Sequence, residues 1–336
     1  MKTSQNTAEQ EIKLITPVCA LEDIPSKVQI GIQDGYCNLK CNMCFLHSPN
    51  NKEKVKAIRG EMTLIQLETL LEEIKQAGKK PTISPYRWAE PLMTKNLRES
   101  LTAIKEREFP IVINTNGVLL GDDVARFLVD IKTESVTVSI DACSNETYRK
   151  IRGVDAIEQV EKAVFNLLEA RGTSELPRIG VSLTLSHDNE HEKDQFIDYW
   201  LQYVDVVRVN KEQSFDTKGV RELGMPGERV PCYQLYDNLT ISCSGDAVIC
   251  CLDALNEFKM GNVFSAGIKN VWLGERFQEI RYYHETGQYD KVPFCKNCNM
   301  WMNPTFSESE ENGILVRSSP IMTFYNRLDR IGNWLK

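Results

Sequence analysis

Three cysteines fall close together in the order Cys37-Asn-Leu-Lys-Cys41-Asn-Met-Cys44, the spacing C-x3-C-x2-C. A tight loop can turn three such side chains toward one centre, whereas an extended strand would point them apart. A structural zinc ion normally takes four protein ligands from paired knuckles. Three local thiolates suit an iron–sulphur cluster in which one iron stays open to an exchangeable ligand. Zinc completed by Cys19 or His47 is the alternative. A second set, Cys232, Cys250, Cys295 and Cys298, offers four thiolates, enough to saturate another cluster, with a zinc ribbon as its alternative. Cys251 adjoins Cys250, and adjacent strand side chains face opposite ways, so only one of the pair is expected at the site. Cys243 lies on the approach to this set.

The rest of the composition frames these groups. The chain has 336 residues, 42% hydrophobic and 26% charged, an ordinary globular balance. Its net charge of -7 comes from interspersed acids and bases without a basic tract, so attraction to nucleic acid is not expected. The N-terminus is polar, and no apolar run approaches the ~20 residues a membrane span needs. A cytoplasmic protein without membrane partners is expected. There, an odd total of eleven cysteines bunched into two groups argues for metal sites rather than disulfides.

Alternating strand and helix patterns must position the first group. Strands are predicted at 28–33, 81–84, 111–115, 135–141, 178–185 and 204–209. Helices are predicted at 63–76, 94–107, 121–131, 155–170 and 191–203. Such repetition with β-branched strands signals an α/β fold, a parallel sheet covered by helices. An open barrel and a doubly wound sheet fit the count equally, and either places ligands at the C-terminal strand ends, where the cysteine loop begins. A polar stretch at 211–230 marks a domain boundary. Beyond it lie short strands, a helix near 275–284 and a final segment with Ile321, Phe324, Tyr325, Leu328, Ile331 and Trp334 at helical spacing, read as an amphipathic helix packed on the body. His187 and His191, four apart without a third ligand nearby, are read as solvated.

The three-cysteine loop resembles that of the radical S-adenosylmethionine superfamily, over most of residues 28–300. The resemblance implies a partial (β/α)6 barrel in which Cys37, Cys41 and Cys44 hold a [4Fe-4S] cluster. Its open iron would chelate S-adenosylmethionine, and reduction would release a 5′-deoxyadenosyl radical. Met43 stands where the family commonly has an aromatic residue near the adenine. Trp88-Ala89-Glu90-Pro91 occupies the place of a Gly-Gly-Glu-Pro segment, which makes Glu90 the acceptor for the methionyl ammonium. Thr115-Asn116-Gly117, Ser139-Ile140-Asp141 and Tyr148-Arg149-Lys150-Ile151-Arg152-Gly153 follow in the family's order. Asn116, Ser139, Asp141 and Ser182 are thereby candidates to line cofactor or substrate.

Residues 231–300 resemble the auxiliary-cluster domains called SPASM and, in their shortened form, twitch. A second [4Fe-4S] cluster on Cys232, Cys250, Cys295 and Cys298 is implied, Cys250 being preferred for its spacing from Gly245. The expected organisation is an N-terminal tail or lid (1–25), a barrel domain (26–225), a small α+β auxiliary domain (226–300) and a C-terminal extension (301–336). An external one-electron donor such as flavodoxin or ferredoxin is implied as partner. The expected reaction is dehydrogenation of an alcohol on a small polar or aminocyclitol-type metabolite, the auxiliary cluster taking the second electron. Peptide modification is the runner-up, disfavoured because few residues precede the first strand. Cys143, just past Ser139-Ile140-Asp141, offers a thiol that would make the reaction a redox-neutral epimerisation by hydrogen-atom donation. A non-catalytic metal scaffold is the reading from another class.

Overall fold

The computed structural model describes residues 21–48, 52–211, 229–302 and 307–332. Most of the expected N-terminal tail, Cys19, nearly all of the expected boundary at 211–230 and Trp334 lie outside those residues.

Six parallel strands appear where β-branched runs predict them: β1 (Lys27–Ile30), β2 (Thr82–Ser84), β3 (Val112–Thr115), β4 (Ser135–Ser139), β5 (Arg178–Leu185) and β6 (Val206–Lys211). β1 pairs with β2, a single bridge from Ile83 to Ile111 reaches β3, and β3 through β6 form continuous ladders. Spatial order therefore equals sequence order. Parallel crossovers share one hand, so an unreversed order lays every helix on the same face. A doubly wound sheet would reverse at a switch point, and this array does not. It resembles a partial barrel.

The helical layer comprises α1 (Leu64–Gln76), α2 (Leu97–Glu106), α3 (Asp122–Asp130), α4 (Asn145–Arg152), α5 (Ile157–Arg171) and α6 (Lys193–Trp200). α1 begins with a reciprocal Thr63–Gln66 capping box and buries Leu67, Leu70, Leu71 and Ile74. Those side chains join one core with Val28, Ile30, Ile83, Ile113, Val136, Val181 and Val207. The short α4 is absent from the sequence expectation. Ser144 caps its start by accepting from the Thr147 amide, and Gly153, at φ 79°, ends it in the left-handed conformation.

Both edges of the array are extended. At one, β7 (Asn238–Ile241) runs parallel to β1, followed by antiparallel β8 (Asp246–Val248) and β9 (Lys259–Asn262) and by helix α7 (Glu275–Glu285). This C-terminal α+β region thus shares a sheet with β1. At the other edge β6 pairs with an antiparallel meander, β10 (Ser307–Glu311), β11 (Ile314–Ser318) and β12 (Met322–Arg327). The expected C-terminal amphipathic helix is therefore a strand across Phe324 and Tyr325. Its apolar spacing mimics a helix, but Thr323, Phe324 and Tyr325 favour strand, and pairing with β6 satisfies an otherwise open edge. Among the described residues no helix is long and apolar enough to cross a membrane.

Candidate active site

The loop carrying Cys37, Cys41 and Cys44 leaves the C-terminal end of β1 through Gly35, whose φ is 76°. An added Cβ there would press on Arg59 and the Val55 carbonyl, so glycine is required twice over. The loop is fastened on two sides. The Glu90 amide donates to the Tyr36 carbonyl at 2.9 Å, and Gln33 Nε2 donates to the Glu90 carbonyl at 2.7 Å. Opposite, the Asn42 amide donates to the Ile151 carbonyl at the end of α4.

Every thiol in the loop has a donor aimed at it. Cys37 Sγ accepts from the Leu39 amide and from Asn116 Nδ2, Cys44 Sγ from the His47 amide at 3.3 Å, and Cys41 Sγ from Arg152 Nη1 at 3.6 Å. Burial pushes the Cys37 thiol up to about 12 and raises Cys44, with the neighbouring thiols adding to both. Such a group gains most from a cationic partner that displaces its protons. A cubane spreads its thiolates over separate irons, and this donor set fits one.

Glu90 is 3% exposed and caps the short turn Pro91–Met93. Its carboxylate accepts from Thr115 Oγ1 at 2.6 Å, the Asn116 amide at 2.8 Å and the Leu92 amide at 3.1 Å. Burial raises its pKa against those hydrogen bonds. Asn116 joins this group to the loop, donating to Asn38 Oδ1 at 2.8 Å as well as to Cys37. Asp141 takes a left-handed backbone at φ 66°, and its carboxylate pairs with Arg152 at 2.6 Å and accepts from the Thr184 amide. Ser182 Oγ donates to Ser139 Oγ across the β4–β5 ladder, so each partly satisfies the other. Met43 is half-buried in the loop. Glu90, Asn116 and the three cysteines form one connected group, and Asp141 reaches it through Arg152. Cys143 does not join it. Its thiol donates to the Glu192 carbonyl at 3.6 Å, and burial together with Glu192 and Glu161 raises it to about 12.

The second set surrounds a small cavity lined by Cys232, Cys250, Cys251, Cys295 and Cys298. Burial pushes Cys295 up to about 12 and Cys251 to about 11, and lifts Cys232, Cys250 and Cys298. Both members of the Cys250–Cys251 pair reach this cavity, contrary to the alternation expected of a strand. The reason is local: β8 ends at Val248, and the pair lies in the bend beyond it. Cys243 is apart, buried in the core with its amide donating to Asp34 at 2.8 Å. The two cysteine sites are tied together by Trp88 Nε1, which donates to the Cys251 carbonyl at 2.8 Å, and by Arg87, which pairs with Asp34 and donates to the Asp253 carbonyl.

Sequence reasoning missed Arg152 as a partner of Cys41, Tyr86 and Arg208 on the array, and His284 on the second cavity. Arg208 is the one basic residue within the otherwise largely apolar run VDVVRV, and that was its signal. Burial lowers its pKa, and Tyr86 and Asp141 are its charge neighbours. His284 carries no such mark, since α7 brings it to Cys232 only through the fold.

Comparisons with known proteins agree with this geometry. The family described as the radical SAM superfamily matches residues 35–228, and the SPASM family, an iron–sulphur cluster-binding domain, matches residues 232–299. A tungsten-containing aldehyde ferredoxin oxidoreductase cofactor-modifying protein of Pyrococcus furiosus is 22% identical, covering 79% of this chain and 85% of its own. An S-adenosyl-L-methionine-dependent 2-deoxy-scyllo-inosamine dehydrogenase of Niallia circulans is 24% identical, covering 78% and 90%. Among solved structures, BtrN in complex with AdoMet and 2-DOIA superposes with a TM-score of 0.53 at 20% identity, covering 82% of this chain and 93% of that one. Streptococcus suis SuiB bound to precursor peptide SuiA gives 0.61 at 16% identity, covering 78% and 67%. These two likenesses show the fold.

Proposed function

The chain belongs to the radical S-adenosylmethionine superfamily, and from that premise we propose that it oxidises an alcohol of a small polar metabolite, of the aminocyclitol type, by hydrogen-atom abstraction. The observation that carries this reading is the pairing of two separate thiol sites on one sheet, one with three cysteines and one with enough to saturate a cluster. When bound, the clusters and S-adenosylmethionine supply a hydrogen-abstracting carbon radical and an acceptor for the second electron.

The chain's own residues divide the remaining work. Cys37, Cys41 and Cys44 hold the first [4Fe-4S] cluster, and Cys232, Cys295, Cys298 and one of Cys250 and Cys251 hold the second. Glu90, oriented by Thr115, Asn116 and Leu92, accepts from the ammonium of S-adenosylmethionine. Asn116, Ser139, Asp141 and Ser182 line the cofactor and substrate space at the strand ends, and Met43 packs at the adenine. Asp141 acts through Arg152, fixing the guanidinium against Cys41. The barrel domain spans about 26–225 and the auxiliary domain about 226–300. The first cluster receives its electron from a flavodoxin or ferredoxin, and the protein works in the cytoplasm.

The likeness to SuiB with its precursor peptide supports a second reading, modification of a peptide. Anaerobic reconstitution followed by a substrate screen with mass analysis separates the two. Loss of two hydrogens from a small alcohol is the expected result; the same loss from a peptide only would transfer the assignment. Unchanged mass with gain of solvent deuterium would indicate epimerisation, and no 5′-deoxyadenosine after reduction would overturn both oxidations.

A further inference from the structure

The second cavity contains buried donors that have no hydrogen-bond partner among the described residues. His284, in the last turn of α7, is 1% exposed, and its Nδ1 accepts from the Cys232 amide at 3.3 Å. An amide nitrogen can only donate, so Nδ1 carries no proton and the ring's proton resides on Nε2. Nε2 is buried and has no hydrogen-bond partner among the described residues. Trp301, 3% exposed and on the same cavity, leaves its indole Nε1–H equally unsatisfied. A third cavity residue, Arg229, holds its guanidinium in place by donating to the Cys295 carbonyl at 2.7 Å and the Lys296 carbonyl at 2.9 Å.

Leaving a buried N–H unpaired costs about 1–3 kcal/mol, and two on one cavity wall mark a missing acceptor. Neither donor belongs to a thiol, and no described carbonyl accepts from either. We infer that His284 and Trp301 donate hydrogen bonds to sulphur atoms of the auxiliary cluster, and that His284 is a positioning residue that sets the cluster's reduction potential. His284 is not a ligand: a neutral imidazole bound to iron through Nε2 would need its proton on Nδ1, where the Cys232 amide already points. Hydrogen bonds to the sulphurs stabilise the more negative, reduced cluster and so raise its potential. The auxiliary cluster is thereby made the better electron acceptor, which suits an oxidation. The inference rests on the proposed presence of that cluster.

The test uses the full-length chain with Cys37, Cys41 and Cys44 all changed to alanine, so that iron signals report the second site alone. EPR-monitored redox titration of this protein is compared with the same protein carrying His284→Phe. The expected result is a shift to lower potential, of about 59 mV for a tenfold change in the one-electron equilibrium. Trp301→Phe should shift it in the same direction. Iron bound as in the parent with an unchanged midpoint would overturn the inference. If His284→Phe fails to retain iron, 15N-histidine labelling of the parent decides. A nitrogen coupling to the reduced cluster supports the inference and its absence overturns it, His47, the histidine beside Cys44, being next to a site that no longer holds iron. Failure of the parent to bind any iron at the second site would instead sink the two-cluster reading on which this rests.

Discussion

Arg152 donates to Cys41 Sγ through Nη1 at 3.6 Å while its Nη2 pairs with Asp141 at 2.6 Å, so one buried guanidinium couples the strand-end carboxylate to the cysteine loop. Burial disfavours its charge, but Asp141 and Cys41 more than offset this and hold its pKa above the ordinary value. Removing one partner of a buried pair costs about 3–5 kcal/mol, because the other charge is left uncompensated. Asp141→Asn should lower stability by that amount in chemical denaturation of the apoprotein. Arg152→Gln should do likewise and also reduce iron retention at the first site. A denaturation midpoint equal to wild type in both variants would remove the coupling.

The cysteine assignments separate by iron count. The wild-type chain should load about eight irons, four for each of two clusters. Changing Cys37, Cys41 and Cys44 together to alanine should leave about four and abolish 5′-deoxyadenosine formation, measured by chromatography after reduction with dithionite.

Cys250 and Cys251 both face the second cavity, yet a cubane has room for only one of them beside Cys232, Cys295 and Cys298. Alanine at the ligand should cost about four irons, whereas alanine at its neighbour should leave loading intact. Equal losses in both single variants would mean that the two thiols exchange in the role.

Glu192 predicts a pH effect. Burial would raise its carboxyl, but hydrogen bonds from the Cys143 amide, Ser144 Oγ and Thr147 Oγ1 outweigh it and leave the pKa below the ordinary value. A depressed carboxylate pKa adds stability above the unfolded value of about 4.3, and loses it as pH falls through the folded one. Glu192→Gln should therefore cost about 1–3 kcal/mol at pH 7. The gap from wild type should narrow below about pH 4, read from melting curves at both pH values. A gap that persists undiminished in acid would show that shape rather than charge matters at this position.

Much of this arrangement was readable from residue order. The six strands announce themselves as β-branched runs ended by turns such as Asn116-Gly117, and the local spacing of Cys37, Cys41 and Cys44 needs no tertiary information. Glu90 was a candidate through the resemblance of Trp88-Ala89-Glu90-Pro91 to a family segment, and not through spacing. What was not readable depends on contacts across long separations. Ile321, Phe324, Tyr325 and Leu328 have the spacing of a helix, and only the open edge of β6 turns that segment into a strand. The pairing of Cys250 with Cys251 at one cavity depends on where β8 stops, at Val248, two residues before Cys250, and strand ends are set by partners. His284 is polar and ordinary in sequence; its role follows from α7 carrying it to the Cys232 amide. Cys143 is similar: its strand-end address is legible, but the donation of its thiol to the Glu192 carbonyl is set by the fold.

The parallel pairing of β7 with β1 has a mechanical meaning. The strand that launches the first cysteine loop is hydrogen-bonded along its length, from Lys27↔Asn238 to Ile30↔Ile241, to a strand of the region that holds the second set. Two units joined by a linker can hinge and so vary the gap between their redox centres. Two units sharing a ladder cannot do so without breaking a row of backbone hydrogen bonds at the core. The separation between the two cysteine sites is thus a fixed dimension of the sheet. Any movement that admits a substrate must therefore leave the spacing of the two cysteine sites across this ladder unchanged.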